Sequence, residues 1–266
     1  MQAMPEICAI VSCTGDARAL AAAGVQRVYL DVIDLEPTDE ALGEAWVQGL
    51  VPLLDEVCRE GDHARLDPWV VRDRPVAVGN VSELSLARQR GAQPELRSCV
   101  PVHNLATLEA MASLGARFAW LSPELSLAEV RELAQASPIP LGIRVFGRPR
   151  LMTCEHCVLQ VAFDCDGRHE TCPYRGELHW LVNIDGRRLP VSTDRLGRSR
   201  VYLDEPVDLI PAAAELAAMG LARLLVDARM VSPREAADAC GRLAGALAGG
   251  RLGAVGTMGL ARSGVE

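Results

Sequence analysis

From residue 7 to residue 146, short aliphatic runs alternate with helix-like stretches, most of them closed by a glycine. A chain with that rhythm is restricted to a parallel sheet with crossover helices. Ile7–Ser12 reads as a strand, Asp16–Ala23 as a helix closed by Gly24, Val25–Val32 as a strand and Ala41–Arg59 as a helix. Trp69–Val71 and Val76–Val78 are further strand candidates, and Ser82 is expected to cap a helix that runs to Arg90 and stops at Gly91. Leu96–Val102, Phe118–Leu121 and Leu141–Phe146 complete seven strands, with helices over Leu105–Leu114 and from a Ser126 cap through Ala134. The count predicts an α/β fold, a TIM-like (β/α)8 barrel with an incomplete third unit.

After strand seven the rhythm breaks. His179–Ile184, Asp185-Gly186 and Arg187–Ser192 read as a β-hairpin around a type I′ turn, and Ser199–Leu203 as one more strand. The α/β pattern resumes with a helix over Val207–Met219, a strand at Leu224–Asp227 and a helix from Ser232 to about Ala246. The chain, residues 1–266, is therefore read as a single barrel domain whose residues 151–200 form a Cys-rich hairpin insert after strand seven. At 49% hydrophobic residues it has ample core. No apolar run approaches the roughly 20 residues of a membrane span, and the opening MQAMPEICAIVSC lacks the features of a secretory signal. A soluble, cytoplasmic protein with no membrane partner is expected.

Four of the nine cysteines (Cys154, Cys157, Cys165, Cys172) and two of the five histidines (His156, His169) crowd into residues 151–175. Disulfides suit an oxidising compartment, which the N-terminus does not signal. Packing as a small apolar group suits Cys8, Cys13, Cys58, Cys99 and Cys240, which stand singly among aliphatic residues. It suits the cluster poorly, because Glu155, Asp164, Asp166, Arg168 and Glu170 surround those thiols. Metal ligation is the favoured reading. Cys154-x2-Cys157 with His169-x2-Cys172 can close a tetrahedral zinc site with Cys165 spare, and the same thiols suit an iron–sulfur cluster equally well.

The net charge of −8 argues against a general basic surface for nucleic acid. Between Arg144 and Arg200, however, ten arginines stand against seven acids. That local excess concentrates positive charge beside the cysteines, where it can bind a substrate, or else is a solvated arginine-rich surface. In such barrels, residues at strand C-termini carry the chemistry. His103 with Asn104, Glu124, Asp227 with Arg229, Asn80, and Asp31 or Asp34 qualify by position, and His103, Glu124, Asp227 and Arg229 are taken as the catalytic candidates. Asn80 and Asn104 have a simpler use as helix caps. No Gly-x-Ser-x-Gly elbow and no His-Glu-x-x-His is present.

The run Ser122-Pro123-Glu124-Leu125-Ser126, then Val145-Phe146-Gly147-Arg148, Leu151-Met152, Glu155-His156-Cys157, Cys165 and Cys172-Pro173 resembles the peptidase U32 family, the collagenase-like proteases. Pro190-Val191, Thr193-Asp194, Pro206–Leu209, Leu225–Arg229 and the tail residues Thr257, Gly259, Arg262 and Val265 extend the likeness, which covers most of the chain from about Val76. The resemblance implies a TIM-like barrel and, as in many relatives, a [4Fe–4S] cluster, with zinc as the alternative. It also implies hydroxylation of an RNA base or small aromatic substrate, often with a protein partner of the same family or with prephenate as oxygen source. A peptidase, or a non-catalytic cluster scaffold or electron donor, are the alternatives. Cys157, Cys165 and Cys172 fall on family ligand positions and are expected within a few ångströms of one another. Relatives carry a further Cys where His169 stands, so position favours His169 as fourth ligand. Thiolate chemistry favours Cys154, which is the choice made. Leu260 stands where relatives often have His.

Overall fold

The structure is a computed structural model, and it describes residues 4–250 other than Gly176, together with Gly253. In chain order the first part runs β1 (Glu6–Val11), α1 (Thr14–Ala22), β2 (Arg27–Asp31), α2 (Asp39–Val47), β3 (Val51–Leu53), α3 (His63–Leu66), β4 (Pro75–Val78) and α4 (Val81–Arg90). It continues with β5 (Gln93–Leu96), α5 (Leu105–Ser113), β6 (Phe118–Trp120), α6 (Leu127–Ala136) and β7 (Leu141–Gly147). Then come β8 (Arg150–Cys154), α7 (Val158–Phe163), β9 (His179–Val182), β10 (Arg188–Thr193), β11 (Ser199–Tyr202), β12 (Val207–Asp208), α8 (Ala213–Ala218), β13 (Arg223–Asp227) and α9 (Pro233–Leu247). The parallel strands follow the order β13-β1-β2-β3-β4-β5-β6-β7, and β7 also pairs with β13, so eight strands close into a TIM-like barrel.

Local chemistry sets most of the boundaries. Thr38, Asn80, Asn104, Ser126 and Ser232 each accept a backbone N–H of the first helical turn, and Ser126/Glu129 and Ser232/Glu235 form full capping boxes. Asn80, not Ser82, is thus the cap of α4. The long helix expected over Ala41–Arg59 ends at Val47, because Gly49 turns the chain with φ +67 and frees Val51–Leu53 to be the third strand. Trp69–Val71 is no strand: a 3-10 turn covers Asp67–Trp69. The segment Leu96–Val102 is strand only to Leu96, with β5 beginning earlier at Gln93. The helix expected over Val207–Met219 shortens to α8, behind a two-residue strand and the 3-10 turn Ile210–Ala212.

Contacts divide the chain into two compact units, residues 1–147 with 208–266, and residues 148–207. The first holds the barrel. Its interior is packed by Cys8, Ile10, Tyr29, Val51, Leu53, Ala77, Phe118, Trp120 and Leu225. Below this apolar layer, at the N-terminal ends of the strands, lies a floor of paired charges. Glu95 accepts from Arg27 at 2.5 Å and from the Tyr29 hydroxyl at 2.5 Å, and Arg223 Nη1 reaches Glu95 at 3.0 Å and the Tyr29 oxygen at 3.1 Å. Burial pushes the Tyr29 hydroxyl well above its ordinary pKa, as it does the Cys8 thiol above them.

The second unit is an antiparallel sheet in the order β8-β11-β10-β9. The β9–β10 hairpin is present, but its turn is not type I′, since Asp185 does not have positive φ and only Gly186 does, at +79. Arg200 and Asp194 form a buried pair at 2.9 Å inside this sheet.

Candidate active site at the barrel mouth

Residues two further along the strands than the apolar layer face the same side of the sheet, and at the C-terminal ends they are charged. Asp31 ends β2, Asp227 ends β13, Asp55 follows β3 and Arg97 follows β5. Asp55, Arg97 and Asp227 are buried. Arg229 binds both β-strand ends: Nη1 donates to Asp31 Oδ2 at 2.8 Å, and Nη2 and Nε donate to the two oxygens of Asp227 at 2.7 and 2.9 Å. Burial alone would raise the Asp227 carboxyl, but Arg229 overrides it, with help from Arg144, and holds it below the ordinary carboxylate value. Arg97 donates to the Leu54 carbonyl and stands 3.6 Å from Glu56, and it also feels Asp31 and Arg229.

Two features tighten this layer. Gly79 lets β4 approach the loop after β3, because a Cβ there would sit 2.5 Å from the Asp55 carbonyl oxygen. Glu83, buried on α4, accepts the Gly79 N–H at 2.7 Å, and burial pushes its carboxyl up to about 8, so it is protonated at neutral pH. A separate cavity of about 150 Å³ lies between α1 and α9, lined by Asp16, Leu20, Val231, Pro233 and Ala236, and of the charged layer only Arg229 reaches it. The paired guanidiniums can orient a carboxylate, phosphate or carbonyl oxygen, and the carboxylates can accept from a hydroxyl or an exocyclic amine.

The four catalytic candidates thus fall in two places. Asp227 and Arg229 are partners in the buried layer, and they are joined by Asp31. His103 and Glu124 meet at 3.4 Å on the loops after β5 and β6, where both side chains are largely exposed. Asn80 and Asn104 are caps, each accepting a backbone N–H at 2.9 Å. Asp34 is exposed. Sequence reasoning missed Asp55, Glu56, Glu83 and Arg97. The signal for Arg97 was its place two residues after inward-facing Glu95.

In the second unit all four clustered cysteines are free thiols. Cys157 is buried at the start of α7, Cys154 ends β8 with its sulfur accepting the His156 N–H at 3.3 Å, and Cys172 closes the 3-10 turn His169–Thr171. They do not converge. Among the described residues no three His, Cys, Asp or Glu side chains gather into a group able to hold a metal. The expected approach of Cys157, Cys165 and Cys172 is therefore not met, since each rides on a different local structure. The His169 ring packs against the backbone of Gly197, where an added Cβ would come 2.5 Å from it. The donors fit an iron–sulfur cluster or zinc in kind and not in this arrangement.

A family model, described as peptidase family U32, matches residues 78–245. The chain belongs to this family. The match begins at Val78, the last residue of β4, and spans the fifth to eighth barrel strands with the thiol-rich segment between the seventh and the eighth in sequence. Among solved structures, the U32 peptidase Mk0906 is similar at 14% identity with TM-score 0.49, covering 88% of this chain and 96% of that one. A phosphonomutase from Burkholderia cenocepacia J2315 is similar at 15% identity with TM-score 0.45, covering 92% and 94%. A truncated 3-deoxy-D-arabino-heptulosonate 7-phosphate synthase from Thermotoga maritima is similar at 14% identity and 0.44, covering 92% and 87%. No curated protein matches the chain. The tail residues of the resemblance, Thr257, Gly259, Leu260, Arg262 and Val265, lie outside the described residues.

Proposed function

We propose that this U32 protein is an enzyme that modifies a small polar substrate at its barrel mouth, by oxygen-independent hydroxylation or a related reaction on an RNA base or small aromatic compound. The observation that carries the reading is Arg229, held between Asp31 and Asp227 at the C-terminal ends of β2 and β13. Arg229 and Arg97 bind the substrate's acceptor oxygens, Asp31 its donors, and the exposed His103–Glu124 pair exchanges protons at the rim. Cys154, Cys157, Cys165 and Cys172, with His169 as the competing fourth ligand, are the residues proposed to hold a [4Fe–4S] cluster, which supplies one-electron chemistry when bound. Zinc is the alternative occupant, and no step is routed through either. A second protein of the same family is the proposed partner. Substrate binding by the insert's arginines gains less support, because Arg168, Arg187, Arg198 and Arg200 pair with Asp166, Asp204, Glu155 and Asp194.

The test compares nucleosides and aromatic metabolites from cells with and without the gene, grown anaerobically. The expected result is loss of a product one oxygen atom heavier than its precursor, restored by the native gene and not by Arg97→Met or Arg229→Met. No difference in either pool would overturn the proposal.

A further inference from the structure

The segment after β3 carries a second constellation. The Cys58 sulfur lies 4.0 Å from His63 Nε2, and the other ring nitrogen of His63, Nδ1, lies 3.0 Å from Asp67 Oδ1. Asp67 is itself fixed from α4: Arg90 Nη2 lies 3.3 Å from its other carboxylate oxygen, and Arg90 Nη1 donates to its carbonyl. Nucleophile, base and orienting carboxylate therefore stand in sequence, with a guanidinium locking the last. Cys58 is partly exposed and the His63 side chain is 51% exposed, so a substrate can reach both.

We propose that Cys58, His63 and Asp67 form a second reactive centre that takes an acyl group from an uncharged or cationic ester or amide. This goes beyond the hydroxylation reading and does not depend on it. With the Nδ1 proton donated to Asp67, Nε2 is left as the acceptor for the thiol proton. As the Cys58 sulfur bonds to the acyl carbon, the carbonyl π pair moves to oxygen and His63 takes the proton. Collapse breaks the bond to the alcohol or amine, which leaves with that proton. Water then attacks the S-acyl carbon, again giving a proton to His63, and the released sulfur recovers it.

The surroundings decide both the need for the base and the substrate's charge. Burial first, then the carboxylates of Glu83, Asp62, Asp67 and Asp55, push the thiol up to about 11, so there is no resting thiolate and His63 must act during bond formation. At neutral pH the carboxylates of Asp62, Asp67 and Asp55 disfavour an anionic acyl group.

The chain contains no lysine, which makes acylation easy to localise. The full-length protein is mixed with p-nitrophenyl acetate and, separately, with its succinyl counterpart, and labelled peptides are mapped by mass spectrometry. The expected result is acetyl on Cys58 ahead of the other eight cysteines, with slower succinylation. His63→Ala should slow acetylation roughly a hundredfold, and added imidazole should restore it. Asp67→Asn supplies the same reading should His63→Ala fail to fold. Label spread evenly over the cysteines, or a rate unchanged in both variants, would overturn the proposal.

Discussion

Arg229 is hydrogen-bonded to Asp31, 198 residues earlier in the chain, over the single strand β1 that separates β13 from β2. The contact ties the last barrel strand to the second, and Arg229 neutralises two carboxylates at once. Replacing it by Met leaves Asp227 buried without its guanidinium, a loss expected to be about 3–5 kcal/mol at pH 7 by urea denaturation. Asp227 has a depressed folded pKa, so the stability it contributes is present above the unfolded value and lost as pH falls through the folded one. The gap between native protein and variant should accordingly narrow in acid.

Glu83 runs the other way. Its carboxyl is raised to about 8 in the fold, so between the ordinary carboxylate value and that point the folded state binds more protons than the unfolded. Stability should fall as pH rises across this window and level off above it. Glu83→Gln keeps an acceptor for the Gly79 N–H and removes the titration. Its melting temperature should match the native protein near pH 5 and exceed it at pH 8, by a margin on the order of 2 kcal/mol in stability.

Two glycines allow a steric prediction. A Cβ on Gly142 would lie 2.5 Å from the Trp120 ring inside the barrel, and one on Gly79 would strike the backbone of Asp55 and Glu56. Gly142→Ala should cost about 1–3 kcal/mol by overpacking, with the mouth unaltered. Gly79→Ala should shift the loop that presents Asp55 and Glu56 and weaken binding of small anions as well as stability. Denaturation and anion titration by calorimetry separate the two.

How much of this was legible follows from where the signals sit. Strands such as Leu141–Gly147 read clearly because parallel strands are buried on both faces and become continuous aliphatic runs. The third strand did not, since Val51–Leu53 follows α2 after only Gln48, Gly49 and Leu50, with Gly49 the single turn signal among them. That one error carried far. A helix drawn through Arg59 hides Asp55 and Glu56 on a polar face and never brings Cys58 to His63. Ending β5 six residues late likewise hid Arg97 inside a strand. Asp227 and Arg229 were found because their strand end was placed correctly, whereas their partner Asp31 was one of two options until the pairing across β1 was seen.

The thiol-rich unit calls for direct analysis. Protein purified anaerobically is expected to contain iron and acid-labile sulfide, and stoichiometric zinc without sulfide would favour the alternative. Iron retention in Cys154→Ala against His169→Ala then identifies the fourth ligand, with loss in the cysteine variant the expected outcome. His169→Ala has a separate expected effect, loosening of the turn at Gly197 on which its ring packs.

Strand β5 carries Glu95 in the floor and sets Arg97 in the mouth, two residues and so roughly 7 Å apart along one backbone. The two ends of the barrel therefore share an indexing error: inserting or deleting one residue ahead of Glu95 would turn both charges outward together. Substitutions can tune the mouth alone, but changes of length in this strand cannot, and lineages that diversify this barrel are constrained to do so in the loops beyond residue 97 and not in the strand that leads to it.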